Sequence, residues 1–268
     1  MELRAEVNDI TVIEADAIIV NLFEGVKNPG GVTAKVDAAL DGAITSLIED
    51  GEITGTKGQN VVIHTLGKLP SKRVIVAGLG KSDSFTINVA RGVAADAARQ
   101  LRNLKIKKAA SIMHGAGNGN IEAEAAAEAL AEGTVLGLYT FNTHKTDGES
   151  KTGKLEELVI VEQDAEKESA INRGLTSGRI LADSTSLARD MANQPANKMT
   201  PTIMAEQAHQ VAQEYGLEFN LLEKADCEAL GMGAFLGVSQ GSSEPPKFIV
   251  IRYHGDPSNP ENNLGIIG

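Results

Sequence analysis

Five short apolar runs recur along the first part of the chain: AIIVNLF (17–23), NVVIHTL (60–66), RVIVAGL (73–79), KAASIM (108–113) and LEELVIV (155–161). Each has the length of a strand. Between them lie longer stretches whose apolar residues return at helical spacing, notably VTAKVDAALDGAITSLIED (32–50), FTINVARGVAADAARQLRN (85–103) and IEAEAAAEALAEGTVLGLY (121–139). Strands rich in Val and Ile are buried on both faces, and amphipathic helices between them supply the cover. The alternation predicts an α/β fold built on a mostly parallel sheet with helices on both faces. Neither a repeat at a fixed short period nor a low-complexity tract competes with this reading.

The polar segment FNTHKTDGESKTGKLEE (141–157) suits a surface excursion. After it, Ile171, Leu175, Leu181, Ala188 and Met191 form a helical stripe. The expected organisation is a first α/β domain over 1–162, a connector helix over 163–192 and the start of a second α/β domain over 193–268. The joint NQPANKMTP (193–201) punctuates it. Pro195 pushes Gln194 away from the α region and ends the connector. Thr200 is an N-cap, and Pro201 sits at the first helical position, where a missing N–H costs nothing. Met204, Ala208, Val211 and Tyr215 share a face of the helix that follows, and Gly216 suits its stop. LEFNLLE (217–223) and KFIVIRYHG (247–255) read as strands, with a short helix from Asp226 and a Gly-rich loop between them. LGIIG (264–268) reads as the opening of another strand.

Composition narrows the function classes. A chain of 268 residues with 42% hydrophobic and 23% charged residues has the make-up of a soluble globular protein. No apolar run approaches the ~20 residues of a membrane span. The N-terminal segment carries scattered acids and no apolar core of a secretory signal. Cys227 is the only cysteine, which excludes an intrachain disulfide framework and fits a reducing cytoplasm. A net charge of −11 weighs against general nucleic-acid or anionic-membrane binding. The one basic cluster, KIKK (105–108), reads as a solvated helix end.

The candidate chemistry is sparse. In VAGLGKSD (76–83), Gly78 and Gly80 follow a strand, but Asp83 stands where a dinucleotide fingerprint needs a third glycine. The stretch reads as a tight strand-to-loop turn. HGAGNGN (114–120) also follows a strand and precedes a helix, so its amides could cradle an anion. Asn120 replaces the third glycine there, and crowding at a turn explains the glycines equally well. His64, His114, His144, His209 and His254 are scattered without metal-ligand spacing. Cys227 reads as a small buried side chain. The acid pairs Glu156–Glu157 and Glu122–Glu124 read as solvated faces. No serine-nucleophile elbow occurs.

The second half nevertheless carries a resemblance. ARDMANQPANKMTPTIMAEQA (188–208) resembles the joint that opens the catalytic domain of the leucyl aminopeptidase, or cytosol aminopeptidase, family. LGMGAFLGVSQGSSEPPKFIVIRYHG (230–255) resembles that family's Met-Gly-rich loop, Gly-Ser-x-x-Pro-Pro turn and following strand, in order and at fitting separation. The likeness spans about residues 168 to 268. The first domain is similar to the family's more variable N-terminal unit, a macro-domain-like mixed sheet.

The resemblance implies a metal-dependent exopeptidase that uses two divalent ions, zinc or manganese, to remove N-terminal residues from peptides. It also implies a homo-oligomer, commonly a hexamer. The family's ligands begin in a Lys-Gly-x-x-Phe-Asp block after the strand matched here by Leu264–Gly268. All of them are therefore expected beyond Gly268, so no catalytic, cofactor-binding or metal residue is assigned within the chain. Asp256 and Glu261 are not put in their place. The expectation is a truncated, inactive piece of such an enzyme, holding no metal itself and prone to self-association at open sheet edges. Two other classes stay open: a nucleotide or ADP-ribose-type ligand at the 114–120 loop, and DNA binding by the first domain, which the net charge disfavours.

Overall fold

The computed structural model describes residues 1–115, 121–146 and 153–268. Its chain divides into two compact units, Met1–Ala188 and Arg189–Gly268. The first holds six strands, β1 (Glu2–Val7), β2 (Ala17–Phe23), β3 (Asn60–His64), β4 (Arg73–Gly80), β5 (Lys108–Ser111) and β6 (Glu157–Glu162). They form one sheet in the order β1-β6-β5-β2-β4-β3. Every pairing is parallel except that of β3 with β4. This is the expected mixed, mostly parallel α/β sheet.

Helices α1 (Gly31–Ala39), α2 (Ala43–Glu49), α3 (Ile87–Asn103), α4 (Ala123–Leu138) and α5 (Glu168–Asn193) complete the unit and lead out of it. Alternation along β2 sorts the core. Ile19 joins Val93, Ala97 and Leu101 of α3, Leu130 of α4 and Leu175 of α5. Ile18 and Val20 point the other way, into a cluster with Val36 of α1, Leu40 just beyond it and Ile44 of α2. Both faces of the sheet are thus covered, as period-two strands with apolar residues on each side require.

The helical layer owes its closeness to glycine. A Cβ on Gly133 of α4 would stand 2.1 Å from the Arg91 carbonyl oxygen of α3. On α5, a Cβ on Gly174 or Gly178 would stand 2.1 and 2.2 Å from the carbonyl oxygens of Glu124 and Glu128 on α4. Those separations lie far inside van der Waals contact, so the helix backbones approach as only small residues permit.

Two elements of the first unit differ from the sequence expectation. The stretch 32–50 is two helices rather than one, because Asp41 and Gly42 take left-handed conformations (φ 56 and 81). Asp37 then turns its carboxylate to the start of α2, accepting from the amides of Ile44 (2.7 Å) and Thr45 (3.2 Å). It supplies the cap that Gly42, without a side chain, cannot. Strand β1 was not foreseen. Its apolar residues alternate with Glu2, Arg4 and Glu6, a pattern suited to an edge strand.

The second unit contains α6 (Pro201–Tyr215), β7 (Glu218–Leu222), α7 (Lys224–Ala229), α8 (Gly233–Ser239) and β8 (Phe248–Arg252). Strands β7 and β8 pair antiparallel. Thr200 caps α6 by accepting from the Ile203 amide, with Pro201 in the first turn and Gly216 in the left-handed conformation at its end. Part of the expected Gly-rich loop is α8. The strand expected over 264–268 does not form: that segment belongs to no ladder, and Leu264, Ile266 and Ile267 are exposed. An apolar run becomes a strand only when another strand satisfies its backbone.

Candidate functional site

In an open parallel sheet, ligands bind beyond the carboxyl ends of the strands where successive connections leave to opposite faces. Here β2 leads into α1 and α2 on one face, whereas β5 leads into α4 on the other. The two strands are neighbours. A cleft of about 480 Å³ opens at this point. It is lined by Asn21–Phe23 of β2, Met113 beyond β5, Glu162 at the end of β6 and Gly30–Thr33 at the start of α1.

Internal hydrogen bonds fix its polar floor. The Thr33 hydroxyl donates to the Asn21 carbonyl at 2.8 Å. The Asn21 side-chain amide donates to the Met113 carbonyl at 3.3 Å and lies 3.5 Å from Nδ1 of His114. His114 is buried, and desolvation lowers its pKa to about 4, so the ring is neutral near pH 7. Of the lining residues, Gln163 accepts from Lys35 at 2.9 Å, and Lys35 stands 3.6 Å from Asp9. Hydrogen bonds from the backbone and side chain of Thr11 hold the Asp9 carboxyl below its usual range. The fold thus orients neutral groups on the cleft's floor, while Glu162 and Lys167 bring charge to its lining.

Of the features singled out in the sequence, only the start of the 114–120 loop lies beside this cleft. Gly78 lies near the end of β4 against a neighbouring loop: a Cβ there would lie 2.0 Å from the Thr56 carbonyl oxygen. Gly80 is left-handed at φ 75. Both glycines answer to local crowding. Of the 114–120 loop, His114 and Gly115 are placed, while 116–120 lie outside the described residues.

The histidines are apart. His64 is exposed on β3. The ring of His144 meets Phe141, and that of His209 meets Phe219 at 4.9 Å between centroids. His254 approaches Glu218 at 3.1 Å. Cys227 is fully buried in the second unit. The acids Glu156, Glu157 and Glu124 pair with Lys107, Arg4 and Arg173. Lys107 and Lys108 of the basic cluster are likewise engaged, with Glu156 and Glu157. Asp256 accepts from the Ser258 amide at 3.1 Å, and Glu261 is exposed. Among the described residues, no group of three or more His, Cys, Asp or Glu side chains could hold a metal ion. The donor set of a two-metal centre is therefore not furnished by these residues.

Comparison with known proteins places the chain. The model of the cytosol aminopeptidase family, N-terminal domain, matches residues 19–148, and that of the same family's catalytic domain matches 186–268. The chain belongs to the cytosol aminopeptidase family. Among its relatives are the "probable cytosol aminopeptidases" of Alkaliphilus metalliredigens and Alkaliphilus oremlandii. The first is 39% identical over 269 residues, covering 100% of this chain and 53% of the relative. The second is 35% identical over 268 residues, with the same coverage. The chain spans about half the length of the curated relatives it matches.

Two solved structures add the fold. A tomato leucine aminopeptidase variant superposes with a TM-score of 0.79 at 24% identity, covering 93% of this chain and 50% of that one. The bottromycin maturation enzyme BotP in complex with Mn gives 0.70 at 27% identity, covering 91% of this chain and 46% of its own. The cytosol aminopeptidase assignment thus rests on both halves of the chain. The cleft at the β2–β5 switch was not found from sequence. Two traces of it were visible: the loop that begins at His114, and Asn21, a polar residue inside an otherwise apolar run.

Proposed function

We propose that the chain is the N-terminal domain and the first α/β layers of the catalytic domain of a metal-dependent aminopeptidase that releases N-terminal residues from peptides. The observation that carries this reading is the ordered match of both family models, with the catalytic one covering 186–268. In the whole enzyme two divalent ions, zinc or manganese, would supply Lewis-acid chemistry for peptide hydrolysis, held by residues other than those described here. The Mn complex of BotP supports a divalent ion in a relative. The residues described here do not furnish the ligands, so the 268-residue chain is inactive by itself. The whole protein works in the cytoplasm as a homo-oligomer, a hexamer on the family's pattern.

Within that enzyme the present residues act as scaffold. Strands β7 and β8 and helix α6 form the opening layer on which a ligand-bearing strand can be laid. Strand pairing needs a partner with free backbone groups, and a two-stranded sheet has an open edge on each side. Fusing residues 1–268 to the remaining half of the Alkaliphilus metalliredigens relative tests the reading. The expected result is a folded chimaera that hydrolyses leucine p-nitroanilide only when Mn²⁺ or Zn²⁺ is supplied. A chimaera with intact secondary structure and no such activity would speak against it.

A second reading, binding of a nucleotide or ADP-ribose-type ligand by the first domain, is favoured by the cleft at the β2–β5 switch. Calorimetric titration with ADP-ribose tests it, and a flat titration removes it.

A further inference from the structure

At the other edge of the six-stranded sheet, where β1 and β6 begin, lies a second cleft of about 430 Å³. We propose that it binds a dianionic small molecule, a phosphate monoester whose organic group is apolar. Among the described residues three cations line it, Arg102 in the last turn of α3, Lys154 before β6 and Arg179 of α5, and no acid does. This runs against the composition of a chain with 36 acidic and 25 basic residues, in which chance pairing should supply carboxylates first.

The three cations are not equivalent. Arg179 is already neutralised by Asp183 at 2.6 Å and anchored on the Met1 carbonyl at 2.9 Å. Arg102 and Lys154 have no ion-pair partner among the described residues. The Nε–H of half-buried Arg102 is moreover sealed from water without an acceptor. A cation in the last turn of α3 complements the helix dipole, and that explains the charge at position 102. It explains neither the unpaired Lys154 nor the absence of acids among the described lining residues.

The charge count selects the ligand class. Two uncompensated cations match a dianion, whereas a single carboxylate would leave one of them unpaired. Arg102 offers a fork suited to phosphate oxygens, and Lys154 adds a mobile point charge. Leu138 and Leu155 give the same cleft an apolar wall, which an organic substituent would cover and a bare phosphate would leave wet.

The experiment is calorimetric titration of the 268-residue chain with phenyl phosphate, inorganic phosphate and benzoate, on wild type, Arg102→Met and Lys154→Met. The expected result is one phenyl phosphate per chain, with the other two anions at least about tenfold weaker and each variant losing about tenfold in affinity. Phenyl phosphate should also raise the melting midpoint of wild type and leave that of Arg102→Met unchanged. Lys154 is exposed, so its variant stays folded and informative even if Arg102→Met does not. Absence of saturable heat, or affinity equal to wild type in Lys154→Met, overturns the site. Inorganic phosphate binding as tightly as phenyl phosphate overturns the ligand class.

Discussion

The side-chain amide of Asn21 stands 3.5 Å from the Nδ1 of His114 and donates to the neighbouring Met113 carbonyl at 3.3 Å. One polar side chain inside an apolar strand thus ties the carboxyl end of β2 to the turn beyond β5, where the cleft opens. The cost is a histidine ring held out of water and therefore held neutral.

That cost predicts a pH dependence. The folded-state pKa of His114, about 4, lies below its ordinary value of 6.5. In the interval between, the unfolded chain takes up a proton that the folded chain refuses. The stability in question is complete above pH 6.5 and is lost as pH falls towards 4, by about 3 kcal/mol across the full interval. Urea unfolding at about pH 7 and about pH 5 should show the loss in wild type and a shallower one in His114→Gln. Equal slopes in the two proteins would remove His114 as its source. Glu6, Asp9 and Glu157, whose carboxyls are held below their usual range, add their own loss only at lower pH.

Two glycines in helices should respond in opposite directions to the same substitution. Alanine is the better helix former by about 1 kcal/mol. Nothing lies within 4 Å of a Cβ at Gly92, so Gly92→Ala should gain stability, by about 0.5–1 kcal/mol. At Gly178 the Cβ would meet the Glu128 carbonyl oxygen at 2.2 Å, and backbone cannot step aside cheaply. Overpacking then outweighs propensity, and Gly178→Ala should lose about 2 kcal/mol. Thermal unfolding of the two variants reads both signs at once. Stabilisation by Gly178→Ala would mean that α4 and α5 do not approach as described.

Asp37 should be worth more than a surface acid. Its carboxylate receives the amides of Ile44 and Thr45 and the Thr45 hydroxyl. Asp37→Ala leaves the buried Ile44 amide without an acceptor and should cost about 2–3 kcal/mol, whereas Asp37→Asn keeps one acceptor oxygen and should cost about half as much. Denaturant midpoints give the comparison. Amide exchange at Ile44 should quicken in Asp37→Ala ahead of exchange in β4, and uniform quickening would argue against a local capping role.

Most of the framework was legible because its signals are local. Val- and Ile-rich runs placed five of the six strands in the first unit, and Thr200 with Pro201 marked the start of α6. What escaped depends on partners distant in sequence. Strand β1 is written as ELRAEV, and its Arg4 makes sense only beside Glu157 on β6. The break at Asp41–Gly42 is stabilised by Asp37 capping across the gap, a cooperation that periodicity does not encode. Residues 264–268 have strand composition and no ladder. The clefts were harder still. Asn21 reads as a blemish until β5 brings His114 beside it, and Arg102 reads as a helix-end cation until α5 and the entry to β6 enclose it.

The central claim is that these residues scaffold a metal-dependent aminopeptidase without furnishing its metal ligands. Its most direct test is the rate of leucine p-nitroanilide hydrolysis by the purified 268-residue chain, with Mn²⁺ or Zn²⁺ added. The account predicts a rate equal to the protein-free blank. Turnover that rises with added metal and disappears on chelation would contradict it.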